Sequence, residues 1–353
     1  MRIAVVLFNL GGPDRLTAVR PFLHNLFSDP AIIAAPRPTR WALAVLLSRL
    51  RIRKAKETYR KIGGRSPILP NTQAQAAALG KTLQSRGDDS FHVFIGMRYW
   101  KPFISDAARG VYDLGPDKII LLPLYPQFST TTTGSSLVEW KRQAARVGVD
   151  APTTVVGCYP TASGFVSVMA RLTAEHIDQT GDPKSVRVLF SAHGLPTKIV
   201  KRGDPYQWQV EQTAAAIAAQ LTDSSHRWAD LDWRVCYQSR VGPLQWIGPA
   251  TTDEIERAGA DKKSIVVAPI AFVSEHSETL VELDIKYRAL ADASGVPSYV
   301  RVPTVDTERE FIDGLADLVC GLKNAGPGPA SHTGGRLCPA TFGRCICRSP
   351  NET

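Results

Sequence analysis

The sequence predicts an α/β protein of two related domains, each built around a parallel β-sheet. Eight short apolar runs recur along the 353 residues with helical stretches between them, an alternation typical of parallel strands joined by crossover helices. The runs lie near 2–8, 91–97, 118–124, 153–158, 186–192, 233–237, 264–271 and 298–303. A chain of this length exceeds one ordinary hydrophobic core, so two domains are expected.

Two pairs of similar segments indicate that the chain is internally duplicated. Residues 6–13 resemble 188–196 at an offset of 182, and Ile119–Pro123 resembles Ile265–Pro269 at an offset of 146. The first half therefore carries an insertion of about 36 residues, which we place in the basic and apolar segment at 20–60. Two related α/β halves would form a cleft, with the insertion at its rim.

The net charge of the chain is concentrated in one window. Between Arg37 and Arg65 there are ten basic residues and one acidic residue, Glu57, so the window carries +9, equal to the formal net charge of the whole chain. The remainder is balanced, which argues against a broad basic surface for nucleic acid. An apolar turn at 41–47 runs into a basic stretch at 48–54, as in helices that bind anionic membrane surfaces. A core helix with a solvated basic end is the alternative interpretation.

No segment of the sequence has the pattern of a membrane span or a signal peptide. No apolar run approaches the roughly 18 residues that are needed to cross a bilayer. The apolar stretch at 3–8 is too short for a signal peptide, and no cleavage pattern of small residues follows it. We therefore expect a cytoplasmic protein that associates peripherally with the inner membrane through the segment at 20–60.

His193 is a candidate catalytic residue because it ends a predicted buried strand. The apolar run Val188–Phe190 is typical of a strand covered on both faces, and Gly194 and Pro196 end it. Open α/β sheets build their sites at the carboxyl ends of their strands, and an imidazole there can exchange protons near neutral pH. A histidine that is merely hydrogen-bonded in a loop is the structural alternative.

A pair of carboxylates follows the strand that ends at Pro269. An α-helix is predicted to begin near Ser274, a good N-cap residue, and it places Glu278 and Glu282 four residues apart on one side. Carboxylate oxygens suit Fe²⁺ or Mg²⁺, and paired carboxylates can relay protons. Glu282 also has the spacing of an exposed ion pair with Lys286, so a solvated face is the alternative.

Three of the six cysteines lie in a polar tail that follows a predicted linker at 324–335. In a cytosolic chain, the clustering of Cys338, Cys345 and Cys347 favours a metal over disulfides. Three thiolates need a fourth donor, and Cys158, at a strand end, is the best placed. Four thiolates suit an iron–sulfur cluster or zinc. A loose tail with free thiols is the alternative.

Ordered motifs follow one another along about residues 3–322. They are Asn9–Pro13, Tyr59–Pro67, Met97–Tyr99, Leu124–Ser135, Phe190–Pro196, Arg202–Pro205, Gln238–Pro243, Trp246–Pro249 and Glu278–Asp284. Through these motifs the chain resembles the ferrochelatases, enzymes that insert Fe²⁺ into a porphyrin to make haem.

The resemblance implies a fold and an activity. The expected fold has two Rossmann-like, chelatase-type domains, each with a parallel four-stranded sheet flanked by helices, and the porphyrin between them. The expected enzyme is a lyase that inserts Fe²⁺ into protoporphyrin IX, with release of two protons, in the last step of haem biosynthesis. Coproporphyrin III is the alternative substrate, but the apolar segment at 20–60 favours the more apolar protoporphyrin. A non-catalytic tetrapyrrole or metal binder on the same fold is the alternative class.

The resemblance also implies roles for individual residues. His193 and Glu278 are the expected catalytic pair, and both, with Glu282, are expected to contact the substrate Fe²⁺. The residues expected to bind the porphyrin are Leu10, Tyr59, Ser66, Arg98, Tyr99, Trp246, Phe272 and His276. A [2Fe–2S] cluster is expected on Cys158, Cys338, Cys345 and Cys347, as in bacterial members with this type of cysteine tail.

Together these expectations define a domain organisation. An N-terminal domain at 1–152 carries the apolar and basic lip at 20–60, and a C-terminal domain follows at 153–304. A helix at 305–323 packs back on the domains, and a linker with the cysteine-rich tail occupies 324–353. The expected partners are protoporphyrin IX, Fe²⁺ and a membrane surface, without nucleic acid, and the protein is expected to be a monomer or a homodimer.

Overall fold

The computed structural model of the chain describes residues 1–180, 183–224, 228 and 230–347. These residues divide into two compact units. Unit 1 consists of Met1–Cys158, Leu315–Arg336 and a short stretch from Ile346, and unit 2 consists of Tyr159–Gly314 and Leu337–Cys345. Each unit contains one parallel sheet.

Unit 1 is built on a parallel sheet of five strands. The strands are β1 (Arg2–Asn9), β2 (Ser90–Met97), β3 (Lys118–Pro123), β4 (Thr153–Cys158) and β9 (Gly328–Ser331), in the order β2-β1-β3-β4-β9. Every residue of β1 from Ile3 to Phe8 is fully buried, as expected of a central parallel strand with both faces covered. The strand ends at Asn9, which lies at the carboxyl edge of the sheet, where α/β proteins build their sites.

Five α-helices accompany this sheet between β1 and β4. They are α1 (Val19–Phe27), α2 (Arg37–Arg60), α3 (Ile68–Gln84), α4 (Ile104–Leu114) and α5 (Thr133–Val147). Helix α4 shows why such segments are helical, because its buried residues Ile104, Ala107, Ala108 and Val111 recur with the helical period. Gly115 ends this helix in the left-handed conformation, with φ of 58°.

Unit 2 is built on a parallel sheet of four strands with the same order as the first four strands of unit 1. The strands are β5 (Val186–His193), β6 (Asp232–Gln238), β7 (Ser264–Pro269) and β8 (Tyr299–Arg301), in the order β6-β5-β7-β8. Strand β5 pairs with β6 and β7 on its two sides, just as β1 pairs with β2 and β3. The shared order supports the internal duplication that the sequence predicts.

The helices of the second half include one π-helix. The α-helices are α6 (Ser163–Asp178), α7 (Thr197–Lys201), α8 (Tyr206–Ser224), α9 (Thr251–Ala260), α10 (Arg288–Ala293) and α11 (Arg309–Leu322). The π-helix comprises Glu278–Tyr287 and leads directly into α10. The sequence predicts an ordinary α-helix from Ser274, so both the start and the type of this element differ from the prediction. The i→i+5 bonding of a π-helix is not visible in an apolar pattern, and such elements are frequent at functional sites.

The predicted fold class is confirmed, and each of the eight apolar runs forms a strand. The sheet of unit 1 has five strands where the sequence predicts four. The extra strand, β9, lies in the predicted linker and pairs with β4, with Thr154 opposite Gly328. Its sequence, Gly-Pro-Ala-Ser, has no apolar alternation, and an edge strand tolerates proline. Backbone pairing therefore creates a strand that the residue pattern could not reveal.

Helix α2 carries most of the basic window, and several of its apolar side chains face solvent. Trp41 is 63% exposed, Leu46 is 51% exposed and Leu50 is 69% exposed. Ala44 and Ser48 are buried on another face of the helix. No helix in the described part of the chain is long and apolar enough to cross a membrane.

Candidate active site

The carboxyl end of β5 presents His193. The histidine is the last residue of this strand, opposite Gln238 on β6, and 37% of its side chain is exposed. Its Nδ1 lies 2.6 Å from the carbonyl oxygen of Gly194. A carbonyl oxygen can only accept, so Nδ1 carries a hydrogen, and in the neutral ring Nε2 then keeps its lone pair. The strand end therefore offers a basic nitrogen to solvent or to a ligand.

Glu278, at the start of the π-helix, lies beside two histidines. Its Oε1 is 3.7 Å from Nε2 of His193, and its Oε2 is 3.6 Å from Nε2 of His276. His276 is buried, and its Nδ1 donates a hydrogen bond of 3.1 Å to the carbonyl oxygen of Ser274. The ring of Phe272 packs edge-on against that of His276, with 4.6 Å between their centres. Unit 2 therefore brings together four residues that the sequence singles out.

The charges of this cluster shift the pKa values of its members. Burial would raise the pKa of Glu278, but the positive charge that His193 carries when it is protonated and the interaction with His276 outweigh burial and lower the pKa to about 2. Burial opposes the ionisation of His276, yet the neighbouring Glu278 raises the pKa of this histidine. Glu278 is therefore a carboxylate throughout the neutral pH range.

Glu282 lies one turn further along the π-helix and is held by hydrogen bonds. Its carboxylate accepts from the backbone N–H of Ser239 at 3.1 Å, from the hydroxyl of Ser239, and from the hydroxyl of Tyr287 at 3.1 Å. Nε2 of Gln238 lies 3.5 Å from Glu282 and donates to the carbonyl oxygen of Glu278 at 3.1 Å. These bonds fasten the π-helix to the end of β6.

Trp246 is brought to the strand end by backbone pairing. Pro196 and Trp246 form an isolated bridge, and the N–H of Ile247 donates to the carbonyl oxygen of Leu195 at 3.0 Å. A Cβ at Gly194 would lie 3.3 Å from the indole ring of Trp246 and 3.0 Å from the carbonyl oxygen of Gln238. Glycine at 194 thus allows the close approach of both neighbours.

In unit 1, Arg98 and Tyr99 follow the end of β2 and lie beside the end of β1. Their backbone N–H groups donate to the carbonyl oxygens of Asn9 and Leu10, at 2.9 and 3.0 Å. The hydroxyl of Tyr99 donates to Asp29 at 2.7 Å, and Nη2 of Arg98 lies 2.8 Å from the same carboxylate.

Three further predicted residues of unit 1 lie around this segment. Leu10 and Tyr59 pack in one hydrophobic cluster with Tyr99. The backbone N–H of Ser66 donates to the carbonyl oxygen of Pro13 at 2.8 Å. A Cβ at Gly12 would lie 2.5 Å from Oγ of Ser66, so only glycine fits beside this hydroxyl. The structure thus places every predicted porphyrin-binding residue of unit 1 near the carboxyl end of β1.

Comparison with known proteins decides the family. The family model described as Ferrochelatase matches residues 2–322. The chain is 52% identical to a ferrochelatase of Caulobacter vibrioides over 348 residues, which is 98% of each chain. It is also 52% identical to a ferrochelatase of Phenylobacterium zucineum over 351 residues, 99% of each chain, and 47% identical to one of Rickettsia bellii over 349 residues, 98% of this chain and 95% of the relative. The chain belongs to the ferrochelatase family.

A solved chelatase structure has the same fold as this ferrochelatase-family chain. It is SirB from Bacillus subtilis with Fe³⁺, which matches with a TM-score of 0.51 over 92% of this chain and 96% of that chain. The two sequences are 13% identical, so the likeness concerns the fold alone.

The four cysteines predicted to hold a cluster are all buried in this ferrochelatase-family chain. In unit 1, a Cβ at Gly157 would lie 2.4 Å from Sγ of Cys347, so glycine next to Cys158 makes room for that sulfur. In unit 2, Nε2 of Gln209 donates to Sγ of Cys338 at 3.0 Å. Donor type, burial and this N–H···S bond fit an iron–sulfur cluster.

The structure does not itself show the predicted cluster. Within the described ranges, no group of three or more His, Cys, Asp or Glu side chains is arranged to hold a metal ion. The two remaining cysteines lie in regular elements, Cys236 in β6 and Cys320 in α11. Burial raises the pKa of the Cys236 thiol to about 12, which suits an inert core residue.

Asp29 is the site residue that sequence reasoning missed. It follows α1 in the stretch Ser28-Asp29-Pro30, which has the composition of an ordinary turn. Nothing in that pattern indicates a buried carboxylate bonded to Arg98 and Tyr99. The one available signal was Arg98 itself, because a half-buried arginine needs a charged partner.

Proposed function

We propose that the protein is a ferrochelatase that inserts Fe²⁺ into protoporphyrin IX, forming protohaem and releasing two protons. In reaction terms it is a metal-chelating lyase. The observation that carries the proposal is the pairing of His193 Nε2 with Glu278 Oε1 at 3.7 Å, at the carboxyl end of a central parallel strand. Family membership over residues 2–322 supports it.

The geometry supports a proton-accepting role for His193. Two pyrrole protons must leave the macrocycle as Fe²⁺ binds its four nitrogens. Nε2 of His193 can accept one of them, because the bond from Nδ1 to Gly194 fixes the tautomer. Glu278 stays ionised and stabilises the resulting imidazolium, since its pKa is lowered to about 2. His193 then releases this proton to water, and the second pyrrole proton also leaves to water, so that two protons are released in all.

Fe²⁺, the second substrate, is proposed to contact His193 and Glu278, whose nitrogen and oxygen donors suit it. Glu282, the third predicted contact, already accepts hydrogen bonds from Ser239 and Tyr287. Contact between Glu282 and iron would require an exchange of these bonds. We therefore give Glu282 the role of holding the π-helix, and hence Glu278, in place.

The porphyrin is proposed to contact the predicted residues of both units. In unit 2 these residues are Trp246, Phe272 and His276. In unit 1 they are Ser66, Arg98, Tyr99, Leu10 and Tyr59, and Arg98 is the proposed donor to a propionate, because the hydroxyl of Tyr99 already donates to Asp29. The exposed apolar side chains of α2 favour protoporphyrin IX over coproporphyrin III, since two vinyl groups replace two charged propionates. A non-catalytic tetrapyrrole binder would not require a base paired with a carboxylate.

Anaerobic Fe²⁺ insertion into both porphyrins tests the proposal. Wild-type protein should use protoporphyrin IX, and His193→Ala should lower kcat by about 10²- to 10⁴-fold. A matched control is His176→Ala, because this histidine lies on α6 and bonds to the carbonyl oxygen of Leu172. No insertion by the wild type, or full turnover by His193→Ala, would contradict the proposal.

We also assign α2 to a peripheral contact with an anionic membrane surface, in a protein of the cytoplasm. Exposed Trp41, Leu46 and Leu50 share this helix with a run of arginines and lysines. Binding should be strong to vesicles with anionic lipid and weak to neutral vesicles, and Trp41→Ser with Leu50→Ser should reduce it. Equal binding to both vesicle types would contradict the assignment.

Cys158, Cys338, Cys345 and Cys347 are proposed to hold a [2Fe–2S] cluster. Such a cluster supplies visible absorbance and redox-active iron when bound. The support is the burial of all four thiols and the N–H···S bond from Gln209 to Cys338. Cys158→Ser should lose the visible bands and the bound iron of the purified protein, whereas Cys320→Ser should keep them. Full cluster absorbance in Cys158→Ser would contradict the ligand set.

A further inference from the structure

Asp29 is a buried carboxylate of unit 1 that the proposed chemistry does not use. Only 2% of its side chain is exposed. Its Oδ1 accepts a hydrogen bond of 2.8 Å from the backbone N–H of Ala31, and its Oδ2 accepts one of 2.7 Å from the hydroxyl of Tyr99. Oδ2 also accepts from the hydroxyl of Ser135 and lies 2.8 Å from Nη2 of Arg98. A carboxylate with this many donors is fixed in place.

The same network fixes the guanidinium of Arg98. Its Nε donates to Oγ of Ser135 at 2.7 Å, and its central carbon lies 5.0 Å from the centre of the Tyr99 ring. Two of the guanidinium nitrogens, Nε and Nη2, are therefore already bonded within unit 1, to Ser135 and Asp29. Among the described residues, Nη1 of Arg98 has no hydrogen-bond partner, and 17% of the side chain is exposed. Nη1 is thus the nitrogen that a ligand can reach.

We propose that Asp29 is a positioning residue that sets the preference for the number of carboxylates on the porphyrin. It holds Arg98 so that Nη1 meets one propionate, and its negative charge balances the guanidinium. Because Asp29 and Arg98 together carry no net charge, they should attract a porphyrin with two propionates and one with four propionates about equally. This inference rests on the proposed function, and it deepens the substrate class of that site.

A merely structural role for Asp29 predicts a different result. Loss of a structural carboxylate would weaken the use of every porphyrin to the same extent. Loss of a charge-balancing carboxylate would leave Arg98 with an unbalanced positive charge, which favours the more anionic porphyrin. The ratio of kcat/KM for coproporphyrin III to kcat/KM for protoporphyrin IX separates the two roles, because an equal loss cancels in it.

The test is Asp29→Asn, which keeps the size of the side chain and removes its charge. Anaerobic Fe²⁺ insertion gives kcat and KM for both porphyrins, and fluorescence quenching gives their binding without iron. We expect the coproporphyrin-to-protoporphyrin ratio to rise about five- to tenfold, with kcat for protoporphyrin IX within about twofold of the wild type. Asp317→Asn is the matched control, because its exposed carboxylate pairs with Arg86 in the same unit, and the ratio should not change.

Removal of the cation gives the opposite result and a second test. Arg98→Gln leaves the Asp29 carboxylate unbalanced, so the ratio should fall about fivefold. The double variant Asp29→Asn with Arg98→Gln is neutral again, and its ratio should return to that of the wild type. If Asp29→Asn does not fold, the comparison of the double variant with Arg98→Gln carries the test, because these two proteins differ only in the charge at Asp29.

An unchanged ratio in Asp29→Asn, or in Arg98→Gln, would overturn the inference. A double variant that kept the raised ratio would also overturn it, since the effect would then not act through Arg98. Failure of the proposed function looks different, because the wild type would then insert Fe²⁺ into neither porphyrin.

Discussion

The two sheets share one strand order but end their central strands differently. Strand β1 ends at Asn9, which is 4% exposed, donates to the hydroxyl of Thr72 at 2.9 Å and accepts from the N–H of Leu10 at 2.8 Å. Strand β5 ends at His193, which is 37% exposed and lies beside Glu278. One strand end is therefore tied into the fold, and the other presents a titratable group.

Under the proposed function, the two strand ends have different tasks. In unit 1 the strand end supports the segment with Arg98, whose guanidinium is proposed to meet an anionic substituent of the substrate. In unit 2 the strand end and the π-helix supply an imidazole and a carboxylate, which suit proton transfer. We therefore expect changes in unit 2 to act on kcat and changes in unit 1 to act on KM.

Glu278→Gln should produce the largest effect. The amide carries no charge and cannot stabilise a protonated His193, so kcat should fall by about 10²- to 10⁴-fold while KM for the porphyrin stays within a few fold. Steady-state kinetics under anaerobic conditions measure both constants. Glu211→Gln, on α8, serves as the control for loss of a carboxylate in unit 2. A rise in KM with an unchanged kcat would reverse the assignment of the two units.

Arg98→Gln should produce a smaller effect on the other constant. Loss of one charge-assisted hydrogen bond to a propionate should raise KM for protoporphyrin IX about tenfold, with kcat within about twofold. The same kinetic assay measures it. If kcat fell and KM held, the division of tasks between the units would be wrong.

The sequence indicated the residues proposed to react more fully than it indicated their surroundings. His193 could be found because an apolar strand ends in a titratable side chain, and Glu278 because a carboxylate follows the next strand's end. Asp29 could not be found, since the side chains that bond to it are 69 to 106 residues away along the chain. The π-helix and β9 could not be predicted from the sequence either, because both depend on backbone hydrogen bonds and not on side-chain periodicity.

Asn9→Ala tests the end of β1, to which no catalytic role is assigned. The substitution removes the bond to Thr72 and leaves that hydroxyl to its bond with the carbonyl oxygen of Ile68. We expect a loss of about 1–2 kcal/mol in the free energy of unfolding, measured by urea titration, with kcat unchanged. A large loss of kcat in folded Asn9→Ala would place catalysis at both strand ends.

The smallest expected effect concerns Asp306. The two units differ in the surroundings of one aspartate each, Asp29 in unit 1 and Asp306 in unit 2. Asp29 lies beside Arg98, whereas Asp306, in unit 2, lies near another carboxylate. Burial and the charge of Glu275 raise the pKa of Asp306. The folded chain therefore holds this proton more tightly than the unfolded chain, and ionised Asp306 opposes folding at neutral pH. This opposition disappears as the pH falls below the value for an unfolded aspartate, about 4.

Asp306→Asn should therefore stabilise the protein at neutral pH and lose this advantage in acid. The backbone at Asp306 has φ of 37°, a conformation that asparagine tolerates. We expect Tm to rise by about 1–3 °C at pH 7 and the gain to shrink toward pH 4. Asp317→Asn, which removes an exposed carboxylate that pairs with Arg86, should give no such gain. A gain that grew as the pH fell would mean that the pKa of Asp306 is lowered, and burial beside Glu275 would then not oppose its ionisation.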